Sequence, residues 1–170
     1  MLNYTNEINR CLLAIQNEVQ QLLELVTDTI EKERQIFLIG NGGSLATCSH
    51  IVNDLRKNYT RVFVPDSLPL LTATANDLSW KEVFREQLMG LIDKGDLLIG
   101  LSVSGQSQNV ILAIQHAEVV AAKTVFLTGQ HGSPISYKTF HIAVPSTSFG
   151  IVESCHMIIL HYIADRIQNA

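Results

Sequence analysis

Residues 35–55 read QIFLIGNGGSLATCSHIVNDL. Gln35–Gly40 is short and nearly all apolar, which predicts a strand buried on both faces. The turn Gly40–Ser44 follows, and then a helical stretch through Arg56. Strand, glycine turn and helix make the first half of a βαβ unit, and the rhythm continues along the chain. Arg61–Val64 predicts a second strand, Asp96–Ser102 (DLLIGLS) a third, Thr124–Leu127 a fourth and Phe140–Val144 a fifth. Helices are expected around Trp80–Asp93 and Gln106–Ala122, with a last one over Gly150–Gln168. Apolar strands alternating with helices predict an α/β fold, a parallel sheet covered on both sides in a three-layer sandwich. Upstream, Ile8, Leu12, Ile15, Val19, Leu22, Val26 and Ile30 recur every three or four residues. They predict one long helix within residues 1–33, capped by Thr5 with Glu7 in its first turn. Leu13, Leu23 and Leu25 widen its apolar face. Packing on its own domain and packing on a partner subunit both remain open.

The 170 residues suit a single domain, with no internal repeat. The apolar fraction is 46% and the mean hydropathy +0.18. That excess needs a sheet buried on both faces, a subunit interface, or both. A formal net charge of −4 with no basic run argues against nucleic acid as a partner. An anionic ligand must then be held locally, by backbone N–H groups and hydroxyls. Cys11, Cys48 and Cys155 are odd in number and form no CxxC pair, as expected of reduced thiols in a cytoplasmic protein. Met1–Arg10 is polar, without the apolar core of a secretory signal. No apolar run approaches the ~18 residues of a membrane span, so no membrane partner is expected.

Two loops fall at the C-terminal ends of predicted strands, where ligands of parallel sheets bind. The first is Gly40-Asn41-Gly42-Gly43-Ser44. Its glycines allow a close backbone approach and positive φ, and the helix that follows offers free N–H groups to an anion. No lysine follows as in a Walker loop. The third glycine of a dinucleotide fingerprint is missing, and Asp66 stands past strand two, poorly placed for a ribose. The second loop is Ser102-Val103-Ser104-Gly105-Gln106-Ser107. One serine would suit an ordinary helix cap. Three hydroxyls at 102, 104 and 107 favour a cradle for a phosphate dianion.

His50 and Asp54, four residues apart, share one face of the helix after the first loop. Glu153 and His161, eight apart, share a side of the last helix, and His156 lies three from Glu153. A His/carboxylate pair from each of two helices makes a four-ligand site suited to zinc, or an acid/base set. Spacing alone favours the plainer reading, a surface pair at His50–Asp54 and a satisfied core histidine at His161. His116 and His131 read as surface residues, and His141 as part of a strand.

The stretches GNGGSLATCSHIVNDL (40–55), LLTATANDLSWKEVFREQL (70–88), GDLLIGLSVSGQSQNVILAI (95–114) and VPSTSFGIVESCHMIILH (144–161) resemble the sugar-isomerase (SIS) domain. Within it they are most similar to phosphoheptose isomerases. The resemblance implies a five-stranded parallel sheet of flavodoxin-like layering. It also implies a homotetramer with shared active sites, and a sugar phosphate interconverted between ketose and aldose forms. The substrate expected is sedoheptulose 7-phosphate, and the product D-glycero-D-manno-heptose 7-phosphate. By position it makes Ser102, Ser104 and Ser107 the phosphate ligands. It makes Asn41, Gly42, Gly43, Ser44, Asn76, Asp77 and Glu153 further substrate-binding residues. His50, Asp54, Glu153 and His161 would hold one zinc ion per subunit, with Asp54 and His161 transferring the proton. The chain departs from the family where it has Asp54 for a usual Glu, Glu153 for Gln and Ile151 for a common Arg. Its N-terminal helical region is also shorter. The competing expectation is a non-catalytic SIS module binding a sugar phosphate or a partner protein such as the replication initiator. An isomerase of another sugar phosphate is a third.

Overall fold

The computed structural model describes residues 1–169. Helices α1 (Leu2–Ala14) and α2 (Gln16–Glu31) precede strand β1 (Ile36–Gly40) and helix α3 (Gly43–Leu55). Then come β2 (Val62–Phe63), α4 (Leu68–Asp77), a 3₁₀ turn at Trp80–Glu82 and α5 (Val83–Leu88). The chain ends with β3 (Leu97–Ser102), α6 (Gln108–Val119), β4 (Lys123–Gly129), β5 (Phe140–Val144) and α7 (Phe149–Gln168). All five strands pair in parallel, in the order β2-β1-β3-β4-β5. The expected α/β sandwich is the observed one.

Alternation along each strand divides the core into two layers. Ile36 and Leu38 of β1, Leu97, Ile99 and Leu101 of β3, and Val125 and Leu127 of β4 pack with α1, α2, α3 and α7. Phe37, Ile39, Leu98 and Phe126 face the other way, toward α5 and α6. At Gly100 a Cβ would come within 2.8 Å of Val110 and Ile114, so the glycine lets α6 lie flush on the sheet.

The order of strands matters most for function. The chain leaves β1 toward β2 and returns to the opposite side of β1 as β3, so the topological switch lies between β1 and β3. Gly40 pairs with Leu101, which brings the ends of these strands level and sets the two glycine/serine loops side by side. Such a crevice is where open α/β sheets bind ligands.

Three local expectations need correction, and one helix was not expected at all. The N-terminal helix is two helices, broken at Ile15 (φ −118°, ψ 16°), with neither Gly nor Pro to mark the break. Thr5 is not its cap: the helix starts at Leu2, and the Thr5 hydroxyl donates back to the Met1 carbonyl. Glu7 instead accepts a 2.8 Å hydrogen bond from Ser146 Oγ, tying α1 to the loop after β5. Helix α4 was not expected: none of its residues is fully buried, and only Leu71 and Ala75 pack, partly buried, against the core. The three cysteines are buried and unbridged. Among the described residues, no helix is long and apolar enough to cross a membrane.

Candidate active site

At the end of β1 the chain turns within hard steric limits. A Cβ on Gly40 would lie 2.7 Å from the Ser44 side chain, and Gly42 has φ +52°. The Asn41 carbonyl accepts the Ser44 N–H at 3.0 Å, which starts α3. The Glu153 carboxylate of α7 lies against this turn, with Oε1 2.9 Å from where a Gly43 Cβ would be. An anionic group at a helix N-terminus is stabilised by the free N–H groups there.

The second loop is equally constrained. Gly105 has φ +69°, and its missing Cβ leaves room for the Gly132 backbone, which would otherwise be 2.5 Å away. The Ser102 hydroxyl donates to Ser107 Oγ at 2.9 Å, and Ser104 Oγ accepts the Gln106 N–H at 3.2 Å. Ser107 stands at the N-cap of α6, yet its side chain makes no capping bond. It is turned toward Ser102 and away from the helix, unlike an ordinary cap serine. Asn41, Ser44, Ser102, Ser104, Ser107, Phe149 and Glu153 together line a cavity of about 130 Å³. No cationic side chain is among them.

Further along the same two helices, α3 and α7 bring His50, Asp54 and His161 together. The His50 and His161 Nε2 atoms are 2.9 Å apart, their rings nearly perpendicular at 87°. Asp54 Oδ2 lies 3.4 Å from His50 and 3.8 Å from His161. Its Oδ1 is held at 2.7 Å by Lys57, whose ammonium, more than any other group, holds the Asp54 carboxyl below its usual range. The Gln168 amide donates to the Asp54 carbonyl at 3.0 Å, fastening the end of α7 to α3. His161 is therefore not a core histidine; its side chain is 41% exposed.

These three side chains fit a divalent metal. Tetrahedral zinc with bonds of about 2.0–2.1 Å to nitrogen and oxygen spaces its ligand atoms roughly 3.3–3.4 Å apart. The observed spacings of 2.9, 3.4 and 3.8 Å bracket that value. Two histidines and a carboxylate are also the donor set of catalytic zinc, which keeps a fourth position open. Glu153 is not part of the cluster. Eight residues on a helix rise about 12 Å, and its carboxylate sits at the Gly43 turn. Of the four residues expected to bind the metal, three come together within the chain, and Glu153 lies in the loop cavity.

Asn76 and Asp77 end α4 on the surface, hydrogen-bonded to each other at 2.8 Å, and do not line the cavity. Ile151, at the position of the family's arginine, is 1% exposed and packs in the core. His156 is buried under β4 with Nε2 3.3 Å from the Thr128 carbonyl and Nδ1 without a partner among the described residues. Burial pushes it down to about 4. Burial also lowers His141, which shares a 2.8 Å hydrogen bond with Thr128 Oγ1. The sequence reading missed Asn109, which is 1% exposed and exchanges two hydrogen bonds with Asn41.

Comparisons with known proteins agree with this fold. A family model described as the SIS domain matches residues 3–129. The phosphoheptose isomerase of Akkermansia muciniphila is 32% identical over 168 residues, covering 94% of this chain and 89% of the relative. That of Helicobacter pylori strain P12 is 30% identical over 176 residues, covering 99% and 92%. The structure of the phosphoheptose isomerase from Neisseria gonorrhoeae superposes with a TM-score of 0.94 at 25% identity, covering 99% of this chain and 95% of that one. One from Francisella tularensis, 21% identical, has the same fold at a TM-score of 0.92, covering 99% and 94%.

Proposed function

The chain belongs to the SIS-domain family, in the company of the phosphoheptose isomerases, and we propose that it interconverts sedoheptulose 7-phosphate and D-glycero-D-manno-heptose 7-phosphate. The observation that carries this reading is a single crevice that joins two kinds of chemistry. A hydroxyl-lined cavity between β1 and β3 lies at the head of the same two helices that hold the His50, Asp54 and His161 cluster. From Ser44 to His50 is six residues of α3, about 9 Å of rise. An extended heptulose 7-phosphate spans a similar length from phosphorus to C2, about 9 Å at a zigzag advance somewhat below the ~1.5 Å of each bond.

Ser102, Ser104 and Ser107, with the free N–H groups that open α6, hold the phosphate. Asn41, Ser44 and Glu153 meet the hydroxyls of the open-chain sugar, and Gly42 and Gly43 let the backbone approach it. Isomerisation then needs one proton moved between neighbouring carbons. A base takes a C1 proton from the ketose while the C2 oxygen gains one, giving the enediol. The O1 proton leaves and C2 is protonated, giving the aldose. Asp54 and His161 are assigned these transfers. Lys57 occupies one oxygen of Asp54 and leaves the other facing the two imidazoles. Zinc held by His50, Asp54 and His161 would supply Lewis acidity at the carbonyl oxygen; a tight ligand is not a free base, so Asp54 or His161 must be released from the metal to take the proton.

The chain assembles, in this reading, as a homotetramer. Ile158 and Tyr162 are exposed on α7 and flank an apolar groove of about 430 Å³ that Leu12 and Val19 also line. Asn76 and Asp77, outside their own chain's cavity, would then act across a subunit contact. The deciding experiment is incubation with sedoheptulose 7-phosphate and a panel of shorter ketose phosphates, with and without a chelator. Conversion of the heptulose phosphate is expected. No conversion of any member of the panel would overturn the enzyme reading.

A further inference from the structure

Asn41 and Asn109 face each other across the crevice, one in the turn after β1 and the other at the second residue of α6. Asn41 Nδ2 donates to Asn109 Oδ1 at 2.9 Å, and Asn109 Nδ2 donates to Asn41 Oδ1 at 2.8 Å. Such a reciprocal pair does not fix its own orientation. Turning both carboxamides over together would restore both bonds.

A third bond removes that freedom. The backbone N–H of Val110 donates to Asn109 Oδ1 at 3.0 Å. Turned over, Asn109 would set its NH₂ group against this N–H, donor against donor. Asn109 is 1% exposed, so water cannot relieve the clash. The helix backbone therefore orients Asn109, and Asn109 orients Asn41. Each carboxamide has two donor hydrogens and two acceptor lone pairs. After the clasp, Asn41 keeps one N–H and one lone pair, and it lines the loop cavity.

We infer that Asn109 is a positioning residue: it locks the Asn41 carboxamide so that a defined donor and a defined acceptor face a hydroxyl of the bound sugar. The lock also couples the phosphate loop to the sugar loop, since α6 starts directly after Ser107. The inference rests on the isomerase reading for its substrate, but not for its geometry.

The test is a double-mutant cycle on kcat/KM for sedoheptulose 7-phosphate with Asn41→Ala, Asn109→Ala and the double variant. Each single variant is expected to lose about tenfold or more, and the double variant to lose no more than twofold beyond Asn41→Ala. Losses that multiply, or an Asn109→Ala enzyme with wild-type kcat/KM, would overturn the lock. Asn109→Asp serves if the alanine variant is too unstable to assay. It still accepts from Val110 and from Asn41 Nδ2, but sets a carboxylate oxygen against Asn41 Oδ1 where its donor stood. It is expected to show the same non-additivity, at a lowered melting temperature. Absence of turnover by the wild type would refute the isomerase reading alone. The lock is then read by NMR, as slowed exchange of the Asn41 side-chain amide protons that Asn109→Leu, which is close in size and accepts no hydrogen bond, abolishes. Fast exchange in the wild type would refute it.

Discussion

Lowering the pH from 7 to 5 will weaken this fold through one buried imidazole. His156 is 1% exposed, and burial holds it at about 4 against an ordinary value of 6.5. Between those values the unfolded chain binds a proton that the folded chain does not, so stability falls as the pH falls. Integrated over the full window the loss is about 3 kcal/mol; from pH 7 to pH 5 it is about 2 kcal/mol. His141, lowered by burial, acts in the same direction. The carboxyls of Asp28, held at about 2, and of Asp54 are lowered by their lysine partners. What they contribute is lost only at more acidic pH, outside this window. The assay is urea unfolding at both pH values, at one protein concentration and with chelator present. With a denaturant slope of about 2 kcal/mol per molar, the midpoint should drop by roughly 1 M. His156→Gln keeps a donor for the Thr128 carbonyl but cannot take the charge, so most of that drop should vanish. Equal shifts in wild type and variant would refute the assignment to His156.

Three further outcomes are expected. Asp54→Ala and His161→Ala should each lower kcat by at least about a hundredfold, measured as heptose phosphate formed; near wild-type turnover in both would undo their assignment. Dialysis against a chelator should strip one zinc per subunit from the wild type and none from a His50→Ala/His161→Ala variant, read by elemental analysis beside the activity. Gly105→Ala places a side chain at φ +69° and against Gly132. It should cost at least about 1–2 kcal/mol, read as a lower melting temperature, and raise KM for the sugar phosphate.

What the sequence made legible is what depends on period and order. All five strands were readable because each is an apolar run between turn signals, and β5 runs over Phe140–Val144 as expected. His50 and Asp54 could be paired because both lie on one helix at a spacing of four. Other features depend on how elements are rotated and shifted against one another, and no local pattern carries that. The break at Ile15 has no sequence signature. Helix α4 fully buries none of its residues and packs only Leu71 and Ala75 on the core, so a search for an apolar stripe passes over it.

Glu153 shows the distinction most clearly. Its spacing to His161 puts both on one side of α7, which made a shared metal site reasonable. Yet two helical turns separate them along the axis, and α7 runs alongside α3 so that its start meets Gly43 while its later turns meet His50 and Asp54. One helix thus serves two tasks, a carboxylate at the sugar end and an imidazole at the metal end. The Asn41–Asn109 clasp is the same lesson at smaller scale. It exists because Gly40 pairs with Leu101, a register that sets two asparagines 68 residues apart face to face. In this fold the chemistry is spelled by residue type, but its division between phosphate, sugar and metal is set by strand register and helix packing.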